Sequence, residues 1–269
     1  MNADEVDLIK EVVRRPAPSA GIRLEPWPRW VRAEFERVRI VDSKRVQLLL
    51  EPKRLPVFYI PRDDVRLDLL ERGPAEGTTA RGPKTPWHLT VGERRAENAA
   101  WTHDDPPHGL ESLRDLIAFR WDAMDHWFEE DDEIFVHPRD PYHRVDVLSS
   151  SRHVRVELGD ETVAETDRPR LLFETNLPTR YYVPRMDVRM ELFTPTEKRT
   201  HCPYKGEAVY WSANVNGEAF EDIVWSYPRP IPECAKIEGL LAFFNERADI
   251  WVDGELQERP ANTPWSPRK

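Results

Sequence analysis

The chain lacks the residues on which several common protein classes depend. Only two of its 269 residues are cysteine, Cys202 and Cys234. Two thiols cannot build a four-cysteine zinc site or a disulfide framework. The polar stretch from Met1 to Arg15 does not read as a secretory leader, so the two thiols suggest a reducing cytoplasm. No apolar run approaches the roughly 18 residues that span a bilayer, and no membrane partner is expected. Basic residues number 39 against 49 acidic ones, for a net charge of -10. That balance repels a phosphate backbone, so nucleic acid is not an expected partner. His137, His143, His153 and His201 stand at no tight ligand spacing, and no metal is assigned.

What the chain does have is rings and prolines. Ten Trp, ten Phe and seven Tyr can fill cores, while 25 prolines oppose long helices. One short amphipathic helix is predicted around Val6, Ile9, Val12 and Val13, before the breaker at Pro16.

The chain also repeats itself. Residues 31–51 align on 154–174 without gaps at an offset of 123, with seven of 21 positions identical. Residues 58–66 match 181–189 at the same offset, with six of nine identical. Trp101 then matches Trp225 at an offset of 124, and Leu116, Phe119, Asp125 and Trp127 match Leu240, Phe243, Asp249 and Trp251. The predicted organisation is a lead-in over 1–29, a first copy over 30–130 and an ordered segment over 131–151 packed between the copies. A second copy over 152–259 and a tail over 260–269 complete it.

Each copy reads as mainly β. Val154, Val156 and Leu158 alternate with Arg155 and Glu157, a period of two with one buried face. Asn216-Gly217 and Asp253-Gly254 between β-prone runs are hairpin turns of type I′, which need positive φ at both central residues. One short helix per copy is predicted, at Leu110 to Leu116 and at Pro232 to Ile237. Several short strands in about a hundred residues suggest a small barrel or a folded antiparallel sheet.

The second copy carries a polar motif, Thr200-His201-Cys202-Pro203-Tyr204-Lys205-Gly206, followed by Tyr210-Trp211. Against it the first copy sets Thr79-Ala80-Arg81-Gly82-Pro83-Lys84-Thr85. In that alignment only Thr and Lys are kept, and His201, Cys202, Tyr204 and Gly206 have no equivalents. With Glu174, Tyr181-Tyr182-Val183-Pro184, Asp187-Val188, Trp225-Ser226-Tyr227-Pro228 and Trp251-Val252-Asp253-Gly254, this motif resembles the domain of unknown function 427 family. The likeness covers the whole second copy, with the first as a diverged instance. It implies a small β-rich fold of the β-tent type. The family has carried a nucleotidyltransferase-like label, which the sequence does little to support. No Gly-Ser or Gly-Gly loop precedes a paired Asp-x-Asp, and no Walker-type loop is present. Asp63-Asp64, the nearest acidic pair, would point to opposite faces of a strand.

The motif packs an imidazole, a thiol, a phenol and an ammonium into five residues. His201 as acid or base, Cys202 as a thiol nucleophile and Lys205 as an anion holder are the candidate catalytic residues. Glu174, Tyr182, Arg185, Thr200, Tyr204, Tyr210, Trp211 and Tyr227 are the candidate ligand contacts. The bland alternative makes Cys202-Pro203 a buried turn, with Tyr204 and Lys205 on the surface and the aromatics in the core. Glu174 and Glu51 each end an apolar run and need partners, and Arg185 or Arg189 is the expected structural partner of Glu174. The expected function is binding of a small anionic or nucleotide-like ligand in the second copy, with catalysis open. The alternative is a non-enzymatic structural or protein-interaction module. The sequence indicates no cofactor and no oligomeric state.

Overall fold

A computed structural model describes residues 21–266. The helix predicted around Val6 to Val13 lies outside the described residues. The chain divides into two compact units between Tyr142 and His143. Both are mainly β, each with a curled sheet and a smaller four-stranded sheet.

In the second unit the curled sheet runs Val145–Ser149, Arg170–Glu174, Arg180–Val183, Leu241–Phe243, Glu218–Ser226, Gly206–Val215, Phe193–Cys202. All its pairings are antiparallel. The small sheet runs Glu161–Thr166, Val154–Leu158, Asp249–Val252, Glu255–Leu256. The turns fall where the sequence places them: Asn216 and Gly217 have φ of 52° and 85°, and Asp253 and Gly254 have φ of 53° and 85°.

The first unit repeats this order with Arg23–Pro26, Gln47–Leu50, Val57–Pro61, Leu116–Phe119, Arg94–Thr102, Gly82–Val91 and Leu70–Arg72. Where the second unit has one ten-residue strand, Phe193–Cys202, the first has two short ones, Leu70–Arg72 and Glu76–Thr79. The segment predicted to lie between the copies is shared out. Asp132–Ile134 pairs with His126–Glu129 in the first unit, and Val145–Ser149 pairs with Arg170–Glu174 in the second.

The predicted short helices are 3-10 turns, Glu111–Asp115 and Pro232–Ile237. Further 3-10 turns, which the sequence reading did not anticipate, follow the strands that end at Pro61 and Val183. They are tethered identically in both copies. Ser43 Oγ donates to Asp64 at 2.7 Å and Thr166 Oγ1 donates to Asp187 at 2.7 Å. Arg45 and Arg168 clamp the same carboxylates. Asp64 is therefore committed to a structural clamp.

In the first unit the curled sheet is buried on both faces. One face, with Leu48, Leu50, Phe58, Ile60 and Phe119, joins the core shared with Val31, Phe35 and Trp127 of the small sheet. The other, with Leu49, Tyr59 and Ala118, packs under Leu113 of the 3-10 turn. Alternation carries this rule to the second unit, where Leu172, Tyr182, Ala242 and Trp225 share a face. Both faces there belong to one continuous core.

Strand register also locates the change of offset. Thr79 pairs with Gly82, and Cys202 pairs with Gly206. The second copy thus carries one extra residue in this turn, Pro203-Tyr204-Lys205 against Ala80-Arg81. Two glycines mark the equivalence. Gly82 has φ +94° and a Cβ there would lie 2.3 Å from Asp105 O; Gly206 has φ +105° and its Cβ would lie 3.1 Å from Arg229 O. Each lets its strand pass close to the neighbouring backbone. Gly82→Ala should destabilise the first unit by about 1–3 kcal/mol, the range of a strained backbone position. Urea unfolding of the variant checks this, and a change below about 0.5 kcal/mol, the range of a neutral surface substitution, would refute the close approach.

Candidate functional site

The register corrects the alignment of the motif. Gly206 does have an equivalent, Gly82. Thr200 stands against Glu76, because a register shift at Gly77 intervenes, and Lys205 stands against Arg81, so neither Thr79 nor Lys84 is the counterpart of a motif residue of its own type. What the copies share at this turn is a cation beside a glutamate.

Lys205 is fixed at both ends. Its backbone N–H donates to Cys202 O at 3.2 Å, and its carbonyl accepts from Ile231 N at 3.1 Å. Its ammonium donates to both oxygens of Glu174, at 2.6 Å each. The two side chains are only 10% and 6% exposed, so the alternative that put Lys205 on the surface fails. The partner of Glu174 is neither Arg185 nor Arg189. Arg189 pairs with Glu161 and Glu191, and Arg185 lies over the Trp211 ring at 5.5 Å.

A third group joins the pair. His143 Nε2 lies 2.9 Å from Glu174 Oε1, with Nε2 assigned as the donor because the ionised carboxylate can only accept. The imidazole stacks on the Tyr204 ring, with centroids 4.2 Å apart and planes 27° from parallel. Burial alone would raise the Glu174 carboxyl, but the His143 hydrogen bond and the Lys205 charge outweigh it and hold the group below the ordinary carboxylate range.

Sequence reading missed His143 as a site residue because it fell in the supposed interdomain segment. The signal was present: Val145–Ser149 pairs with Arg170–Glu174, with Val145 opposite Glu174. That pairing sets His143 just beyond the end of the strand and beside the carboxylate. The same offset of 123 points to Ala20 in the first copy, so no imidazole is available there. The first copy has Glu51 paired with Arg81 and, at 3.3 Å, with Arg54.

The other candidates divide by strand parity. Thr200 and Cys202 share one face of Phe193–Cys202, and Thr200 Oγ1 meets Tyr210 Oη at 2.6 Å. His201 is on the opposite face, 39% exposed, with Nε2 3.3 Å from Glu207 across the hairpin. The structure therefore does not bring His201 to Lys205 and Glu174. Trp211 shares the face of His201 by alternation. Cys202 is partly buried against the core.

Tyr182 and Tyr227 are buried, and burial raises both phenols. Tyr182 Oη accepts from Trp225 Nε1 at 3.1 Å, as Tyr59 Oη does from Trp101 in the first copy. These rings belong to the core. Beneath the motif turn, Cys234 donates its thiol to Tyr204 O at 3.3 Å. Burial pushes that thiol up to about 11, which keeps it protonated near neutrality. Among the described residues no group of three His, Cys, Asp or Glu side chains is placed to hold a metal ion, and no helix is long and apolar enough to cross a membrane.

Comparison with known proteins finds one family twice. A family model described as a domain of unknown function (DUF427) matches residues 23–130 and 146–254. No curated protein matches the chain.

Proposed function

The chain belongs to the DUF427 family as a tandem of two copies, and from that premise we propose that the second copy binds a small anionic or nucleotide-like ligand at the His143–Glu174–Lys205 cluster. The observation that carries this reading is a single buried carboxylate that gathers both an ammonium and an imidazole, in the copy with the longer motif turn. Glu174 and Lys205 neutralise each other, so the group that meets the ligand is His143, whose side chain is 19% exposed. With Nε2–H given to Glu174, Nδ1 is the atom left to exchange a hydrogen bond or a proton. Protonation of His143 leaves the cluster with one net positive charge, which favours an anion. The stacked Tyr204 and His143 rings supply a flat surface suited to a planar group. A carboxylate that orients an imidazole is also the arrangement of general acid–base catalysis, so chemistry at this site is open to His143 rather than His201.

Glu51 and Arg81 support the second reading. A carboxylate–cation pair persists in the first copy without an imidazole, as a purely structural or interaction module requires. Thermal shift with ATP, AMP and inorganic phosphate separates the two. A ligand at a hundred times its Kd should stabilise the second unit by about 2.7 kcal/mol, and His143→Ala should remove that rise. No rise with any probe, or a rise unchanged in His143→Ala, favours the structural module.

A further inference from the structure

The first unit holds an aromatic-lined cleft of about 170 Å³. Trp101, Trp121, Trp127, Phe58 and Phe119 are among its lining residues. Two of the indole N–H groups are already used, Trp101 Nε1 on Tyr59 Oη at 3.1 Å and Trp127 Nε1 on Trp121 O at 3.2 Å. Besides the indoles, the polar side chains in the lining are His137, whose Nδ1 lies 2.6 Å from Pro138 O, and Arg120 with its guanidinium. Arg120 Nε pairs with Asp122 at 3.3 Å, and the arginine side chain is 46% exposed.

The second copy shows what belongs in this space. Register equates Val57 with Arg180 and Trp101 with Trp225. Arg120 equates with Phe244, because their backbone N–H groups donate to the equivalent carbonyls of Ala99 and Ile223. In the second copy the Phe244 ring lies 4.5 Å from that of Trp225, and the Trp265 ring lies 6.1 Å from Phe244. Arg180 fills the remainder, over Trp225 and Trp265 at 5.5 and 5.1 Å. The first copy replaces Arg180 by the shorter Val57 and the Phe244 ring by a half-exposed guanidinium. It keeps Trp101 in the place of Trp225 and loses the rings that the second copy packs on that tryptophan.

A strained turn helps frame the cleft. Val136, one of its lining residues, has φ +75°, and His137 N–H donates to Phe135 O at 2.9 Å around it. This is a γ-turn of the rare positive-φ kind, unfavourable for a β-branched residue. Such strain tends to persist at ligand clamps.

We infer that this cleft is a second ligand site, which takes a small planar aromatic carboxylate with the ring against the tryptophans and the carboxylate on Arg120. Size supports the ring: an apolar protein cavity of ~150 Å³ admits benzene. Arg120 supports the carboxylate, since a guanidinium pairs with that group through two parallel hydrogen bonds. The site is independent of the cluster in the second copy.

The test titrates the full chain with benzoate and indole-3-carboxylate, and with uncharged benzene and indole, by saturation-transfer NMR and calorimetry. The carboxylates should bind saturably and more tightly than the uncharged rings. Arg120→Gln, at an exposed position, should weaken the carboxylates roughly ten-fold and leave the uncharged rings unchanged. Val57→Arg, which imports the residue of the second copy, should block all four probes. If Val57→Arg does not fold, Arg120→Gln alone decides. The inference is overturned if no probe binds saturably, if carboxylates bind no better than uncharged rings, or if Arg120→Gln changes neither. It is also overturned if binding survives in folded Val57→Arg or disappears in His143→Ala.

Discussion

Glu246→Gln should destabilise the second unit by about 3–5 kcal/mol, the range for a buried ion pair that loses one partner. Arg180 donates to both Glu246 oxygens, at 2.9 and 2.7 Å, with side chains 6% and 0% exposed. Burial would raise the Glu246 carboxyl, but hydrogen bonds from Arg180 and Thr263 hold it below the ordinary range. The amide would leave a guanidinium out of water with its charge uncompensated. Much of the loss comes from that residual charge and not from the strength of the pair. Arg180→Val combined with Glu246→Gln should therefore be less destabilising than the sum of the single changes. The first copy already lives with this solution, having Val57 and an Asp122 whose side chain is 79% exposed. Urea unfolding followed by tryptophan fluorescence measures the cycle. Additive losses would mean that the two residues act separately.

The β architecture was legible because its signals are local. Alternation along Val154–Leu158 and the dipeptides Asn216-Gly217 and Asp253-Gly254 depend on sterics within a few residues. The duplication was legible because the blocks keep their order and spacing. The motif was harder. An ungapped alignment set Lys205 on Lys84 by residue type, whereas register sets it on Arg81. One inserted residue in a turn changes no hydrophobic pattern, so only the hydrogen-bonded ladder, fixed by Gly82 and Gly206, reveals it. Glu174 was read as a carboxylate in need of a partner, but the partner was sought at Arg185 or Arg189, after the next strand. Lys205 and His143 each lie 31 residues away and reach it through strand pairing, which the sequence carries only indirectly. His201 was placed in the cluster by adjacency, although a strand turns adjacent residues to opposite faces.

Glu174→Gln should produce the other large effect, about 3 kcal/mol or more, because the nearly buried Lys205 ammonium would face a neutral amide. The equivalent Glu51→Gln should be milder. Arg54 is 65% exposed and keeps its access to water, and Arg81, 18% exposed, is less buried than Lys205 and shares the carboxylate with Arg54. The contrast tests whether the second copy has a more demanding cluster or merely a restated ion pair. Equal losses at Glu174 and Glu51 would remove the distinction between the copies. The pH dependence supplies an independent check. The Glu174 carboxyl is held below its unfolded value of roughly 4.3. The unfolded chain therefore binds a proton more readily than the folded one, and stability rises with pH across that interval. The contribution is complete above about pH 4.3 and is lost as pH falls through the folded value. The stability gap between wild type and Glu174→Gln should accordingly shrink below about pH 4.3 and stay constant above it. A gap that instead widened on acidification would mean that the folded carboxyl lies above its unfolded value, and that burial prevails over Lys205 and His143.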